Sequence, residues 1–533
     1  MSDVADTTQK APIRTLIPAR IDRLRWSAFH TRMVIALGIA WILDGLEITL
    51  AADVADILEK KSTLSMSPRA VGDIASVYLI GEVFGAILFG RLSDKLGRRR
   101  LFLVTLGVYL IGSGLTAATF GHGAGWVTWL YATRFIAGMG IGGEYAAINS
   151  AIDEMIPAHY RGRVDIGING TYWGGALIGT IAEYYILNHF SDTINWRIGF
   201  IIGPVLALFV LYVRRNLPES PRWLIMHGRE KEAEEAIQRI EQMSHEENLP
   251  MPDDSKAIEI NPRNDIGFFA LAWVLFRQMP RRSILCACLM ISQSFLYNAI
   301  FFTYALVLGT VYHISSGTIP LYFIAFCVGN LAGPLLIGPL FDTIGRRIMI
   351  SATYLLSGVL LAITAFAFDA NLLNGFTQTV CWSVIFFFAS AGASAGYLTV
   401  SEIFPLEVRA KAIAVFFAIA QAFGALGPNI YGGLVNSHSG LFAAYLVGAG
   451  VMMIGGLAEV FLGVSAERQA LEDVATPLSA VGSSDRRVPG APRPGFAKAT
   501  ALDATMVPHL HHHGSHDRDG ASRDERPTPD SSD

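Results

Sequence analysis

The amino-acid sequence predicts an all-α integral membrane protein with twelve transmembrane helices in two six-helix halves. Its 533 residues are 52% hydrophobic and only 16% charged, whereas soluble domains average roughly 45–50% and 25%. A helix needs about 20 apolar residues to cross the hydrocarbon layer. Twelve such windows occur, six between residues 32 and 214 and six between 282 and 465. Two sequence boxes recur 248 residues apart, once in each group, as in membrane proteins built from two related halves.

The two recurring boxes set the register of this duplication. The first box, GRLSDKLGRRR from Gly90, returns as GPLFDTIGRRI from Gly338. The second box returns at the same offset, its members Glu154, Pro157, Arg161 and Arg163 being matched by Glu402, Pro405, Arg409 and Lys411. Because both boxes share one offset, we expect the two halves to fold alike.

Lysine and arginine residues are concentrated on one side of the predicted spans. By the positive-inside rule, we therefore expect both termini and the 215–281 linker in the cytoplasm. The net charge of −4 and the pI near 6.4 are too mild to indicate a nucleic-acid partner. All four cysteines fall in apolar segments and are predicted to be buried hydrophobic residues, without disulfides or metal ligation.

Three segments lie outside the spans. Residues 1–31 form a cytoplasmic N-terminal segment, in which arginines interleaved with apolar residues from 14 to 32 predict an interfacial stretch. Residues 215–281 form a cytoplasmic linker with one amphipathic helix from Glu230 to Ser244. Residues 466–533 have the composition of a disordered cytoplasmic tail. Histidines in this tail could bind a transition metal, but low-complexity sequence or a tag remnant is the favoured interpretation, and we expect no metal site or cofactor.

The first box predicts a latch at the cytoplasmic ends of the spans. Gly97 is expected to supply a backbone conformation that side chains disfavour in a very short reversal. Asp94, Arg98 and Arg99 then lie at one helix mouth, where an acid can face arginines and positive helix ends. The second copy repeats this arrangement with Asp342, Gly345, Arg346 and Arg347. Such pairs would hold the cytoplasmic side closed and break on opening; plain anchoring by positive charge is the alternative.

These boxes resemble those of the major facilitator superfamily over roughly residues 30 to 465. The string PESPRWL from Pro218, with RGR from Arg161 and SEIFP from Ser401, is similar to the sugar porter family and to related proton-coupled metabolite symporters. The resemblance implies the major facilitator fold. It also implies gating ion pairs on the inner face, formed by Glu154, Glu402, Arg161, Arg409, Glu219 and Arg222.

Ionisable residues inside the predicted spans usually mark a transport pathway. Asp44 and Glu47 share a helix face of the first span, and Arg134 on the fourth span lies at similar depth. An arginine keeps such a carboxylate ionised, and loss of that contact raises its pKa, which is the condition for carrying a proton.

The family resemblance supports the same three residues. Sugar porters pair an Asp on helix one with an Arg on helix four, and aromatic-acid symporters carry Asp-Gly-x-Asp where this chain has Asp44-Gly-Leu-Glu47. A purely structural pair is the alternative. Glu82 and Glu144 rank behind these residues as proton sites.

The second half offers neutral polar groups to a substrate. Between Ser283 and Phe341 there is no Asp, Glu, Lys or Arg. The seventh span instead carries hydrogen-bonding side chains without charge, which suit a polar metabolite: Gln293, Tyr297, Asn298 and Tyr304. The run from Gln293 to Asn298 resembles the sugar porter helix in which Gln and Asn hold the sugar; bonding between helices is the alternative.

Two further candidate substrate residues depart from the sugar porter pattern. Asn169 stands where those proteins usually carry Gln, and Tyr397 where they carry Trp. The predicted substrate site therefore matches the sugar porters less well than the gating boxes do, which leaves organic acids open as substrates.

Taken with the resemblance, the sequence predicts a proton-coupled symporter for a small polar metabolite, either a sugar or an organic acid. We expect alternating access of the two halves, function as a monomer, and only the substrate, the proton and the bilayer as partners. An uncoupled facilitator would share every gating motif, and a nutrient sensor could use the long tail for signalling. A membrane enzyme is disfavoured because no P-loop and no nucleophile with a base at a recognisable spacing occurs.

Overall fold

A computed structural model describes residues 13–53, 58, 61–66, 68–214, 218–245, 249–254, 257–260, 267–314, 318–434, 437–476 and 478. The side chains of some helical residues, among them Glu47, Asp94 and Arg98, also lie outside this description. The described part of the chain contains twelve long helices, as the sequence predicts. Seven of them are long and apolar enough to cross a membrane by length and composition alone.

Six long helices form the first half of the bundle. They are α1 (Ala28–Asp53), α2 (Pro68–Leu96), α3 (Arg98–Ala117), α4 (Ala124–Met155), α5 (Ala158–His189) and α6 (Asp192–Arg214). Within this half, α1 packs on α5, and α4 packs on both α2 and α3.

The second half repeats this arrangement. Its helices are α7 (Pro280–Thr310), α8 (Ile319–Ile337), α9 (Arg346–Asp369), α10 (Gly375–Glu402), α11 (Leu406–Gly424, followed by Leu426–Leu434) and α12 (His438–Leu462). Here α10 packs on α8 and α9, as α4 packs on α2 and α3.

Backbone geometry at the repeated boxes confirms the duplication. Gly97 precedes α3 with φ +81°, and its counterpart Gly345 precedes α9 with φ +120°. Both values lie where side chains are disfavoured, as the sequence predicts for Gly97. Pro157 and Pro405, which precede α5 and α11, have φ/ψ of −57°/144° and −54°/148°. The corresponding turns therefore have the same shape in both halves.

The halves meet along two equivalent helix pairs. One pair is α2 with α11 and the other is α8 with α5. In the register of the repeat, α2 corresponds to α8 and α11 to α5, so the two contacts are related by the pseudo-symmetry of the fold. Movement of one half against the other must change both.

The chain before α1 differs from the interfacial segment that the sequence predicts. Strand β1 (Ile13–Thr15) pairs antiparallel with β2 (Ile258–Ile260) of the linker, and a short helix, Ile17–Asp22, follows β1. The physical reason is that Arg20 and Arg23 of this segment find acidic partners on the linker helix Glu230–Met243. Arg20 lies 2.7 Å from Glu234 and 2.6 Å from Glu241, and Arg23 lies 2.7 Å from Glu241. These two arginines therefore hold the segment against the linker.

The linker and the start of the tail also have defined structure. A helix spans Glu230–Met243 where the sequence predicts one, and its stripe of Ala233, Ile237 and Ile240 is buried. Beyond residue 465, where the sequence predicts disorder to begin, the chain forms a helical turn at Leu471–Val474 with both end residues buried. Residues 479–533, including the histidines of the tail, lie outside the described residues.

Candidate substrate cavity, acid cluster and charged end

One end of the bundle, which we call the charged end, holds the two halves together by polar contacts. Arg161 at the start of α5 donates a 3.2 Å hydrogen bond to Glu402 at the end of α10. The backbone N–H of Arg163 donates to Asp342 Oδ2 at 2.7 Å. Arg346 contacts both Glu402 and Asp342, and it lies 3.3 Å from Asp342. Because Arg161 and Arg163 belong to the first half and the acids to the second, these bonds cross the interface.

Segments outside the bundle reinforce the charged end through Arg222. This arginine is buried and lies 3.2 Å from Asp22, which precedes α1, and 3.0 Å from Glu472, which follows α12. Its Nη1 also donates to the backbone carbonyl of Glu154 at 3.0 Å. Burial alone would lower the pKa of Arg222, but the charges of Glu472 and Asp22 outweigh it and raise the pKa. Asp22 further lies 3.6 Å from Arg161, so one acid bridges the two arginines.

The other predicted gating residues also lie at this end. The backbone N–H of Arg99 donates to Glu219 at 3.3 Å, and Arg409 donates to the carbonyl of Phe404 at 3.2 Å. Arg347 contacts the carbonyl of Val460. The side chains of Asp94 and Arg98 lie outside the described residues. A gating role for these side chains stays a prediction.

A cavity of about 110 Å³ lies between the halves. Its lining is aromatic and polar, and none of its described lining residues carries a charge. The first half contributes Trp41, Ile48, Leu79, Tyr145, Asn169, Tyr172 and Trp173; the second contributes Gln293, Ser294, Tyr297, Asn298, Phe301, Ser390, Ala393, Ser394, Tyr397 and Gln421.

Two residues that line the cavity, Trp41 and Asn169, carry a polar atom that the other described side chains do not use. The indole N–H of Trp41 and the amide oxygen Oδ1 of Asn169 are buried and have no hydrogen-bond partner among the described residues. Buried polar groups normally find a partner. A ligand with one acceptor and one donor would satisfy both.

Five of the six predicted substrate residues line this cavity, namely Asn169, Gln293, Tyr297, Asn298 and Tyr397. The sixth, Tyr304, is placed elsewhere. It is buried in the second half, where its ring lies 4.9 Å from Trp382 and its hydroxyl 3.3 Å from that of Thr379. Tyr304 is two helical turns beyond Tyr297, or about 10 Å along α7, which carries it past the cavity into the core.

A cluster of buried ionisable residues lies beside the cavity. Asp44 on α1 accepts hydrogen bonds from the hydroxyls of Tyr78, at 3.3 Å, and Tyr145. The guanidinium of Arg134 stacks 4.4 Å above the ring of Tyr78. Asp44 and Arg134 are 2% and 1% exposed, so the structure places two of the three predicted proton-coupling residues together. The third, Glu47, has its side chain outside the described residues.

The structure adds Glu82 on α2 to this cluster. Glu82 is fully buried and accepts a 2.7 Å hydrogen bond from Gln421 on α11, which lines the cavity. Sequence reasoning ranks Glu82 below Asp44 and Glu47, and it misses Gln421 because a single amide in an apolar span carries no motif. The signal for Glu82 was its position inside a span.

Comparison with known proteins places this architecture in a family. The family model described as "Sugar (and other) transporter" matches residues 47–476. The niacin transporter NiaP of Acinetobacter baylyi is 27% identical over 86% of this chain and 99% of its own. The metabolite transport protein YaaU of Escherichia coli, described as putative, is 25% identical over 83% and 94%.

A solved structure shares the fold. The proton:xylose symporter XylE, bound to 6-bromo-6-deoxy-D-glucose, superposes with a TM-score of 0.68 at 19% identity, over 84% of this chain and 98% of XylE. A duplicated twelve-helix bundle with a cavity between its halves and a match over most of its length make this chain a membrane transporter of the sugar (and other) transporter family, within the major facilitator superfamily.

Proposed function

We propose that this transporter is a proton-coupled symporter for a small polar metabolite with a single ring. The observation that carries the proposal is the position of Tyr145. Its side chain lines the cavity and donates a hydrogen bond to Asp44 in the buried acid cluster. A residue shared by both sites gives a direct route by which substrate binding can change the environment of a carboxylate, and hence its affinity for a proton.

Size and lining support a single-ring substrate. An apolar cavity of about 150 Å³ holds one benzene molecule, and the present cavity is about 110 Å³. Aromatic rings flank it: Tyr145 lies nearly parallel to Tyr397 at 6.1 Å, and Trp41 meets Tyr397 edge-on at 5.6 Å. Flat apolar faces with a few polar groups favour a ring that is itself planar.

Within this class we favour a heteroaromatic acid related to nicotinate over a sugar. The described lining residues carry no cation, so an acid anion would enter this neutral cavity most readily together with a proton, and proton symport supplies that pairing. The niacin transporter that this chain resembles over nearly the whole length of that relative supports the same choice. XylE shares only the fold, at 19% identity.

Alternating access would use the charged end as the inner gate. With both termini in the cytoplasm, opening inward requires that Arg161 leave Glu402 and that the N–H of Arg163 leave Asp342. The bridges from Arg222 to Asp22 and Glu472 tie the segments flanking the bundle to the same gate. Loading from the outside, closure and inward release would then follow in order.

Purified protein in liposomes tests this function. Nicotinate should raise the melting temperature more than D-xylose does, because a ligand that binds only the folded state stabilises it. An acidic outer solution should drive accumulation of labelled nicotinate above that in protein-free liposomes, and a protonophore should abolish it. Stabilisation by D-xylose alone would refute the substrate class. Accumulation that ignores the pH gradient would refute coupling in favour of an uncoupled facilitator.

A matched pair of variants locates the coupling. Asp44→Asn removes the carboxylate held by Tyr78 and Tyr145 and should abolish uphill accumulation while retaining exchange of labelled for unlabelled substrate. Asp369→Asn is the control, because Asp369 is an exposed residue at the end of α9, 3.6 Å from His438. Equal uphill accumulation by the two variants would exclude Asp44 from the coupling site.

A further inference from the structure

The carboxylate of Glu82 forms a hydrogen-bonded contact between the halves in the membrane core. Its Oε2 accepts the 2.7 Å bond from Gln421 Nε2, whereas Oε1 has no partner among the described residues. The backbone of Glu82 also packs closely on α4: a methyl group on Gly142 would lie 2.1 Å from the backbone carbonyl oxygen of Glu82. Glu82 is therefore enclosed, with one carboxylate oxygen bonded and the other not.

A chain of hydrogen bonds connects Glu82 to the cavity. Gln421 uses its amide N–H₂ on Glu82 and accepts a 2.9 Å bond from the hydroxyl of Ser294 at its amide oxygen. Asn298 in turn donates to the carbonyl of Ser294 at 2.9 Å and to its hydroxyl at 3.2 Å. Ser294, Asn298 and Gln421 all line the cavity. A ligand that bonds to Ser294 or Asn298 competes with these hydrogen bonds. The change is passed through Gln421 to the carboxylate of Glu82.

The duplicated fold carries a neutral amide at the position that corresponds to Glu82. In the 248-residue register, Glu82 corresponds to Asn330 on α8. The glycines that flank both positions have matching surroundings. In the first half, methyl groups on Gly81 and Gly85 would meet the carbonyls of Phe135 and Met139 on α4. In the second half, methyl groups on Gly329 and Gly333 would meet the carbonyls of the corresponding residues of α10, Ser383 and Phe387. The described side-chain bonds of Asn330 stay within its own half: it accepts a 3.2 Å bond from Tyr297 of α7 and donates to the carbonyl of Phe326 at 3.0 Å. A carboxylate bonded across the halves is therefore particular to Glu82, and it requires an explanation.

Charge balance supplies that explanation. Asp44 accepts hydrogen bonds from the hydroxyls of Tyr78 and Tyr145, and Arg134 supplies one positive charge. A second ionised carboxylate nearby would leave a net negative charge in a low-dielectric site, which is costly. The ionisable groups that interact electrostatically with Glu82 are Asp44 of α1, Arg134 and Tyr145 of α4, Tyr172 of α5 and Tyr397 of α10, and Gln421 of α11 is its neutral hydrogen-bond partner. Between Leu101 and Ala117, α3 carries no ionisable residue other than Tyr109. Among these described groups, one proton restores neutrality.

We propose that Glu82 binds the proton that is transported with the substrate, and that Gln421 couples this proton to occupancy of the cavity. The inference rests on proton symport as the proposed function. An ionised Glu82 accepts a charge-assisted bond from Gln421, which is stronger than the bond a neutral acid accepts. Because the bond joins α2 to α11, protonation of Glu82 loosens the contact between the halves in the core. A substrate that takes over the bonds of Ser294 completes the release of Gln421.

Substrate-elicited proton uptake tests the assignment, with a pH indicator inside liposomes and nicotinate as the probe. Glu82→Gln mimics the protonated acid and should lose this proton uptake while keeping exchange of labelled for unlabelled nicotinate. Glu82→Asp retains a titratable group and should retain proton uptake. Glu459→Gln is the control, because it neutralises another fully buried carboxylate, on α12, which contributes no residue to the cavity lining.

The outcomes separate this inference from the proposed function. Proton uptake by Glu82→Gln at the wild-type level would overturn the role of Glu82 alone. Nicotinate transport by the wild type without proton uptake would overturn the proposed function. If Glu82→Gln fails to exchange nicotinate, Glu82→Asp decides: exchange without proton uptake in that variant would refute the inference, and exchange with proton uptake supports it.

Discussion

Alanine at Gly162 tests whether the charged end is a contact that must open. A methyl group at this position of α5 would lie 1.9 Å from Asp342 Oδ1, far inside van der Waals contact. Asp342 cannot easily retreat, because the N–H of Arg163 holds its Oδ2 at 2.7 Å and Arg346 holds its Oδ1 at 3.3 Å. The added methyl group therefore pushes against a fixed acid of the opposite half.

The expected magnitude follows from the cost of overpacking. Inserting a methyl group into a well-packed contact costs about 1–3 kcal/mol. A conformation in which the charged end has opened does not bear this cost, so the equilibrium shifts toward opening by roughly 5- to 150-fold. Replacing Gly by Ala also favours the helix by about 1 kcal/mol, but this gain is equal in both conformations and cancels.

Distances between spin labels measure the shift. Labels at His159 on α5 and Ile348 on α9, both exposed, report the separation of the halves at the charged end in a variant whose four natural cysteines are replaced by serine. Gly162→Ala should increase the population at long distance. Gly167→Ala is the matched control, because it lies on the same helix and an added methyl group there would meet nothing within 4 Å. Identical distance distributions in the two variants would refute the reasoning.

Two further predictions concern stability, one at the charged end and one at the linker helix. Gly97→Ala places a side chain at φ +81° with its methyl group 2.4 Å from Glu219. The resulting strain of about 1–3 kcal/mol should lower the melting temperature. Gly107→Ala is the control and should not lower it, because an added methyl group there would meet nothing within 4 Å. Glu241 is buried, which acts to raise its pKa, but hydrogen bonds from Arg20 and Arg23 outweigh burial and hold the pKa below its usual 4.5. Its contribution to stability is therefore complete above pH 4.5 and is lost as pH falls through the lower folded-state pKa. The melting temperature of wild type should exceed that of Glu241→Gln at pH 6 and approach it on acidification; a difference that does not change with pH would contradict this assignment.

Much of the fold could be predicted from the sequence because its signals are local. Apolar windows mark the helices, and Gly97 and Gly345 mark the reversals between them. The N-terminal segment could not be predicted in this way. Its arginines have the pattern of a membrane-surface stretch, and only the position of Glu234 and Glu241, more than 200 residues along the chain, shows that their partners are acids.

The candidate site was predictable where a residue is chemically conspicuous within a span. Asp44 and Arg134 are such residues, and the amides of α7 stand out in a segment without charges. The residues that connect these groups were not predictable. Tyr145 is one of 17 tyrosines, and Gln421 acquires its importance from Glu82 on a distant helix. Tyr304 shows the converse: hydrogen-bonding chemistry suggested a substrate contact, but two helical turns placed it outside the cavity.

The two regions where the halves meet differ in what can break them. At the charged end, carboxylates accept hydrogen bonds from arginine side chains and from the backbone N–H of Arg163, and these bonds can break as the halves move apart without any change in protonation. In the core, the contact of α2 with α11 includes the carboxylate of Glu82, which would lose its charge on binding a proton, whereas Asn330 at the corresponding position of α8 bonds to Tyr297 within its own half. Under the proposed role of Glu82, proton binding would therefore weaken the α2–α11 side of a pseudo-symmetric interface, whereas the amide at the corresponding position of α8 would not respond to a proton. An asymmetric release of this kind would start the movement of the halves at the α2–α11 contact; the α5–α8 contact would then change with it, and the ion pairs of the charged end would separate as the halves rotate.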